Sequence, residues 1–265
     1  MFDITIIGGG PAGLSAAISA GQRGKNAAII TNDVTKSGLY RAAEIGNYPG
    51  LPGISGAELL GKLTEHAVGF AVSFFTGRAT SVLSTGSAFH VGYGTEFIAS
   101  KSIILATGIS QTSLFPGEEE LLGRGVSHCA TCDGMLFRGK RVCVVCLTPE
   151  SRGEADFLES IGCEVVRFET EDIRVNGGNH VTSVTADGDE IECSGVFILR
   201  RAIAPHLLIH GLEIVDGHIR AGVSGQTNIP GVFAAGDCVG TPYQIAKAVG
   251  QGQVAALSAA EYVEN

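Results

Sequence analysis

The chain has 265 residues, enough for one large domain or two of ordinary size, and no stretch of it is long and apolar enough to span a bilayer. A net charge of −9 argues against nucleic acid or an anionic membrane as partner, because a phosphate-binding face carries a positive excess. Its 38 glycines, roughly double the average usage, follow no collagen-like or low-complexity period and fit the dense turns of a compact α/β protein.

Met1-Phe2-Asp3-Ile4-Thr5-Ile6-Ile7 has no basic leader and runs straight into a glycine turn. It reads as the first strand and not as an export signal, so the cytoplasm is the expected compartment. Gly8-Gly9-Gly10-Pro11-Ala12-Gly13 then opens a small, apolar, helix-forming run through Ala20. Ala27–Ile30 follows at the distance of a βαβ unit. A helix near 56–70 and short strands between 71 and 106 close the first segment at Ile103–Gly108. A second unit runs from about 112 to 221, with the apolar strand Arg141–Val145, an acidic helix over 150–161 and the strand Glu164–Phe168. Gly231–Asp237 and an Ala-rich helix over 243–262 return to the first unit. The fold class is therefore α/β: a discontinuous dinucleotide-binding domain, 1–111 with 222–265, interrupted by an inserted unit, 112–221.

The spacing Gly8-X-Gly10-X-X-Gly13 is informative because it follows a strand and opens a helix. The first glycine allows the tight turn, the second lets the backbone approach a pyrophosphate, and the third lets helix and strand pack closely. Pro11 and Ala12 complete a helix N-terminus whose N–H groups favour phosphate. Asn32 or Asp33, about 20 residues on, stands where a ribose contact is expected. Gly236-Asp237 follows a second apolar strand, and a carboxylate there can accept from a ribityl chain. The two signatures together select FAD over a nicotinamide.

Of seven cysteines, Cys143, Cys146, Cys163, Cys193 and Cys238 lie in or beside apolar runs, where reduced buried thiols sit. Cys129-Ala130-Thr131-Cys132 has the spacing of a redox disulfide, and the adjacent Asp133 could protonate a leaving thiolate. A zinc site joining Cys129/Cys132 with Cys143/Cys146 is the competing reading. Residues three apart on a strand point to opposite faces, so Cys143 and Cys146 cannot both ligate one ion without a bend, and no metal is expected.

These residues carry a resemblance. Gly8–Gly13, Glu44–Gly50, Ala106-Thr107-Gly108, Gly125–Gly134, and Gly231–Asp237 with Tyr243-Gln244-Ile245-Ala246 resemble the low-molecular-weight thioredoxin reductases over nearly the whole chain. The resemblance implies FAD held by Gly8, Gly10, Pro11, Ala12, Gly13, Asn32, Thr107, Gly108 and Gly236, with Asp237, Gln244 and Ile245 on ribityl and ring and Asn47 near the ring. It further implies Cys132 as the thiol nearest the flavin, Cys129 as the thiol that attacks thioredoxin, Asp133 as proton donor, and a homodimer.

The inserted unit departs from that family where NADPH would bind. Its glycine turn is replaced by Cys146-Leu147-Thr148, whose side chains fill the space of a pyrophosphate. The His-Arg-Arg that grips the 2′-phosphate is replaced by Glu169-Thr170-Glu171, and a small Ala-Ile-Gly turn by Leu199-Arg200-Arg201. These erosions, and Ser37–Ala42, resemble the compact ferredoxin-dependent flavin thioredoxin reductases, in which the inserted domain is shortened and degenerate. That branch implies ferredoxin as electron donor. Ferredoxins are usually acidic, so Arg138, Lys140, Arg141, Arg200 and Arg201 are candidate docking residues, although they also read as a solvated cluster. Reduction by NAD(P)H or a deazaflavin, an oxygen-dependent dithiol oxidase and a flavin redox sensor without turnover stay open as alternatives.

Overall fold

The computed structural model describes residues 1–94, 96–108, 114–128, 130–147, 151–199 and 205–264, apart from the side chains of Lys36, Thr131 and Cys132. The chain divides into two compact units, Met1–Ser110 with Ala204–Asn265, and Gln111–Ile203.

The first unit opens with β1 (Phe2–Ile7), α1 (Pro11–Gln22), β2 (Ala27–Thr31), α2 (Gly56–Val68), β3 (Ser73–Thr76), β4 (Ala79–Ser84), β5 (Phe89–Tyr93) and β6 (Glu96–Leu105). Its sheet has the order β3-β2-β1-β6-β5-β4. The first four strands are parallel, and β5 and β4 continue as an antiparallel meander. Ile4, Thr5 and Ile6 on β1 are all fully buried, as expected of a parallel strand covered on both faces.

The second unit contains β7 (Val126–Ser127), α3 (Ala130–Asp133), β8 (Arg141–Cys146), α4 (Ser151–Ser160), β9 (Glu164–Phe168), β10 (Ile173–Gly177), β11 (Val181–Ala186), β12 (Asp189–Glu192) and β13 (Gly195–Leu199). A parallel four-stranded sheet, β7-β13-β8-β9, stands beside an antiparallel one, β10-β11-β12. Along β8 the side chains alternate between two cores. Cys143 and Val145 join Val184 and Ile198, whereas Val144 and Cys146 join Ala155 and Leu158. Cys143 and Cys146 thus lie on opposite faces of β8, as the strand period requires.

The chain then adds α5 (Pro205–Leu208), β14 (Ile214–Val215), β15 (His218–Ile219), β16 (Val232–Ala234) and α6 (Ile245–Tyr262) to the first unit. β16 pairs in parallel with the C-terminal half of β6, through Val232↔Ile103, Phe233↔Ile104 and Ala234↔Leu105. The return comes at 204 and not at 222: α5 packs on β4, and Asn228 ties Gly211 and Glu213 by side-chain hydrogen bonds. Helices α1 and α6 pack at close range on small residues. A Cβ on Gly252 would stand 2.0 Å from the Ala12 carbonyl oxygen, and Ser15 Oγ donates to the Val249 carbonyl at 2.7 Å.

Candidate cofactor and redox-disulfide sites

Three parallel strands of the first unit end side by side, and the residues expected to hold FAD follow each end. Gly8 follows β1, Thr107 and Gly108 follow β6, and Gly236 and Asp237 follow β16. Backbone bonds keep the ends level: Gly8 N–H to the Ile30 carbonyl, Ala106 N–H to Ile7 and Ala235 N–H to Leu105, at 2.8, 2.9 and 2.9 Å.

The glycines of the first turn divide by what surrounds them. At Gly8, φ is +117° and a Cβ would stand 2.2 Å from the Ala106 carbonyl oxygen; at Gly13 it would stand 1.8 Å from the Gly8 carbonyl oxygen. These two are required by packing. A Cβ at Gly10 would meet nothing within 4 Å, so this is the position left open for a ligand. Gly10 is also the N-cap of α1, with Pro11 following, no side-chain cap and no acidic residue in the first turn. Among the described residues no side chain caps the first N–H groups of α1, which suits a pyrophosphate.

Asp33 is already engaged as a cap: its Oδ1 accepts from Thr35 N and Thr35 Oγ1 at 3.0 and 2.6 Å. Asn47 and Gln244, 197 residues apart, meet directly, Asn47 Nδ2 donating to Gln244 Oε1 at 2.8 Å. The loop carrying Asn47 is closed by the Ile45↔Ile54 bridge, and Ile245, the first residue of α6, packs against that small core.

Asp237 supplies the clearest test of fit. Its Oδ1 is buried without a hydrogen-bond partner among the described residues, an arrangement costly to leave unfilled in a finished binding site. Burial pushes its carboxyl above the ordinary aspartate value, an effect opposed by the Lys247 ammonium. Lys247 Nζ donates to the Gly236 carbonyl at 3.2 Å and also to the Gly240 carbonyl, while Gly236 N–H donates to Gln251 Oε1 at 3.1 Å. Lys247 and Gln251 were not foreseen in the sequence. Their position on α6 after the Gly-Asp turn was the available signal, but their targets are backbone groups visible only in the fold.

In the second unit Cys129 lies outside the described residues, while Cys132 falls within α3 and its side chain is not described. Asp133, which ends α3, accepts from Ser127 Oγ at 2.7 Å. Ala130 is fully buried in the core shared with Val142, Val144 and Leu158, and a Cβ on Gly134 would stand 2.8 Å from Leu158 Cδ2. The cysteine segment is therefore seated firmly on α4. The next turn exposes Met135 and Leu136, at 57% and 69%. Of the five other cysteines, all buried and unpaired, Cys146, Cys163 and Cys238 are pushed up by burial, and Cys143 by the Cys193 thiol beside it and by burial.

Cys146 ends β8 and Leu147 begins the turn where a nicotinamide dinucleotide would lay its pyrophosphate; Thr148 lies outside the described residues. Cys146 is 8% exposed and points its thiol toward the Ser151 carbonyl, while Leu147 packs on the opposite core. Glu169, just past β9, is taken by Arg152 of α4, with Nε and Nη2 at 3.1 and 2.8 Å. Thr170 Oγ1 donates to Asp187 Oδ1 at 2.7 Å. Of the expected docking residues, Arg141 is paired with Glu164 at 2.6 Å and Lys140 lies over the Phe137 ring. Arg138 is exposed, and Arg200 and Arg201 lie outside the described residues.

Comparison with known proteins decides the family. The model described as pyridine nucleotide-disulphide oxidoreductase matches residues 2–173 and 160–252. The chain belongs to that family. It is 31% identical over 301 aligned residues to a thioredoxin reductase of Listeria innocua, covering 100% of this chain and 94% of the relative. Among solved structures, a ferredoxin-flavin thioredoxin reductase from Clostridium acetobutylicum matches with TM-score 0.87 and 36% identity, covering 98% of this chain and 97% of that one. An atypical thioredoxin reductase from Desulfovibrio vulgaris Hildenborough matches with TM-score 0.75 and 28% identity, over 100% and 98%. Within its family the chain is thus a flavin disulfide oxidoreductase of the thioredoxin reductase type, with that type's α/β fold, and its cofactor is FAD. No helix among the described residues is long and apolar enough to cross a membrane.

Proposed function

We propose that this protein reduces thioredoxin through Cys129 and Cys132 with electrons that reach its FAD from ferredoxin and not from NADPH. The observation that carries the donor assignment is the β8–α4 turn. Cys146, Leu147 and Thr148 stand in the sequence where the glycines of such a turn would be, and Glu169, just past β9, is already paired with Arg152. A pyrophosphate needs glycine backbone at such a turn, and a 2′-phosphate needs cations where this chain has carboxylates. The likeness to the ferredoxin-flavin thioredoxin reductase supports the same reading.

In this proposal the first unit is the FAD domain. Gly8, Gly10, Pro11, Ala12 and Gly13 hold the pyrophosphate, Asn32 the ribose, and Thr107, Gly108, Gly236 and Asp237 the linking chain. Asn47, Gln244 and Ile245 border the ring. When bound, FAD links a one-electron donor to two-electron disulfide chemistry. The second unit carries the dithiol. Cys132 is the thiol that exchanges electrons with the flavin, and the Cys129 thiolate attacks one sulfur of the thioredoxin disulfide, giving a mixed disulfide and a thioredoxin thiolate. Cys132 then attacks Cys129 sulfur, so that the Cys129–Cys132 disulfide forms and the second thioredoxin thiolate leaves. The Asp133 carboxyl, positioned by Ser127, delivers the proton that one departing thiolate needs. The exposed Met135–Leu136 turn offers thioredoxin an apolar contact next to the cysteines, and Arg138, Lys140, Arg141, Arg200 and Arg201 are the proposed ferredoxin contacts. A cytoplasmic homodimer completes the proposal.

The test is turnover of thioredoxin with photoreduced ferredoxin, together with a trapping variant. Cys132→Ser should abolish turnover while leaving FAD bound, and should accumulate a mixed disulfide between Cys129 and thioredoxin. Undiminished turnover in Cys132→Ser would remove the cysteine pair from the mechanism.

A further inference from the structure

The segment before the cysteines leaves its sheet early. β7 is two residues long and pairs with β13 through Val126↔Val196 and Ser127↔Phe197, so the ladder ends at Ser127. From that point side chains take over. Ser127 Oγ reaches forward to Asp133 Oδ2 at 2.7 Å, and His128 Nε2 lies 2.8 Å from Glu118 Oε1. Glu118 is fully buried and His128 is 6% exposed.

A carboxylate at such depth is tolerated only when its oxygens are satisfied. Glu118 Oε2 accepts from Phe115 N–H at 2.8 Å, and the Glu118 N–H bonds back to the Phe115 carbonyl at 3.0 Å, closing the turn 115–118. That turn is itself fixed. Val175 N–H of β10 donates to the Pro116 carbonyl at 2.9 Å, and at Gly117, where φ is +82°, a Cβ would stand 2.1 Å from the Val175 carbonyl oxygen. A hydrogen-bonded line therefore runs from β10, through the turn, to the residue next to Cys129.

We propose that Glu118 and His128 are positioning residues for the redox dithiol, holding the backbone that enters Cys129 while Ser127 holds the carboxyl of Asp133. This rests on the redox role proposed above for Cys129 and Cys132. A burial pair that merely filled space would stabilise the fold and leave cysteine chemistry unchanged, so the two roles are separable.

The experiment uses the full-length, FAD-loaded protein, equilibrated anaerobically in mixtures of reduced and oxidised dithiothreitol. Each exchange converts the protein disulfide to its dithiol and dithiothreitol to its cyclic disulfide, so the balance needs no further reagent. The dithiol fraction and the alkylation rate of Cys129 are read from peptide masses after iodoacetamide, the five other cysteines being buried. Removing one partner strands the other, so the informative variant replaces both: Glu118→Met with His128→Leu. It leaves the Phe115 N–H without its acceptor and so should lower the urea midpoint somewhat, and in urea-free buffer, where it stays folded, it should shift the exchange constant and the alkylation rate by about tenfold or more, the scale of effect expected when reacting groups are slightly misplaced. His128→Gln, which keeps a donor, should recover most of the parent values. A double variant with parental exchange and alkylation overturns the positioning role. If the double variant does not fold, His128→Leu alone carries the same test, since it breaks the contact with Glu118, and parental values there overturn the proposal equally. A parent protein that forms no Cys129–Cys132 disulfide in any buffer would instead remove the redox reading itself.

Discussion

Asp237 concentrates the physics of the cofactor site in one side chain. Its Oδ1 is buried without a partner among the described residues, and its carboxyl is raised by burial against the pull of Lys247. In the flavin-free chain the folded state therefore holds this proton more tightly than the unfolded state does. Its contribution is unfavourable once the unfolded carboxyl ionises, so stability should fall as pH rises from about 4 through the raised folded value. Asp237→Asn should abolish that loss, giving a flavin-free protein at least as stable as the parent at neutral pH in urea titrations. The same substitution should weaken FAD binding about 10- to 100-fold by fluorescence titration, since a hydrogen bond to a charged group contributes about 1.5–3 kcal/mol. A parent-like FAD affinity would take Asp237 out of the site.

Elements act through the close approach of α1, the strand ends and α6. Gly10 and Gly13 share a motif but differ in surroundings, and the difference is measurable. Gly10→Ala meets open space, so its thermal midpoint should stay within a few degrees of the parent, the N-cap change being worth under about 1 kcal/mol, while FAD is lost. Gly13→Ala would press on the Gly8 carbonyl and should unfold the unit at markedly lower temperature, flavin-free or not. Gly252→Ala gains about 1 kcal/mol of helix propensity but forces α6 off the Ala12 carbonyl, so the net change should be destabilising, with FAD released as α1 shifts. A stabilised Gly252→Ala variant would show that the two helices part freely.

This scale also marks what the sequence could disclose. The βαβ opening, the strands Arg141–Val145 and Glu164–Phe168 and the terminal helix were readable because their apolar period and glycine punctuation are local. The segment 205–221 was not, since its pieces are two to four residues long and owe their place to partners such as Asn228. The antiparallel sheet over 173–192 likewise had no strong run to announce it. Asn47 and Gln244 entered through resemblance, and their direct contact follows only from the fold. Glu118, His128 and Lys247 went unread for a related reason: a buried or clamped charge has meaning only once its partner is known, and these partners are backbone carbonyls or residues ten positions away.

For the whole molecule, the two units carry separable chemistry. One retains every part of a dinucleotide turn, including the open Gly10; the other has the sheet of a nucleotide-binding domain with Cys146 and Leu147 where its glycines would be. Under the proposed function this second site takes no nicotinamide nucleotide. The most direct measurement is anaerobic rapid mixing of the FAD-loaded protein with thioredoxin and NADPH, NADH or photoreduced ferredoxin, following flavin bleaching and thioredoxin thiols together. Bleaching and thiol formation are expected with ferredoxin, and neither with either nicotinamide nucleotide. Rapid bleaching by NADPH, followed by stoichiometric thioredoxin thiols, would contradict it and show that the side chains of the β8–α4 turn do not bar the nucleotide.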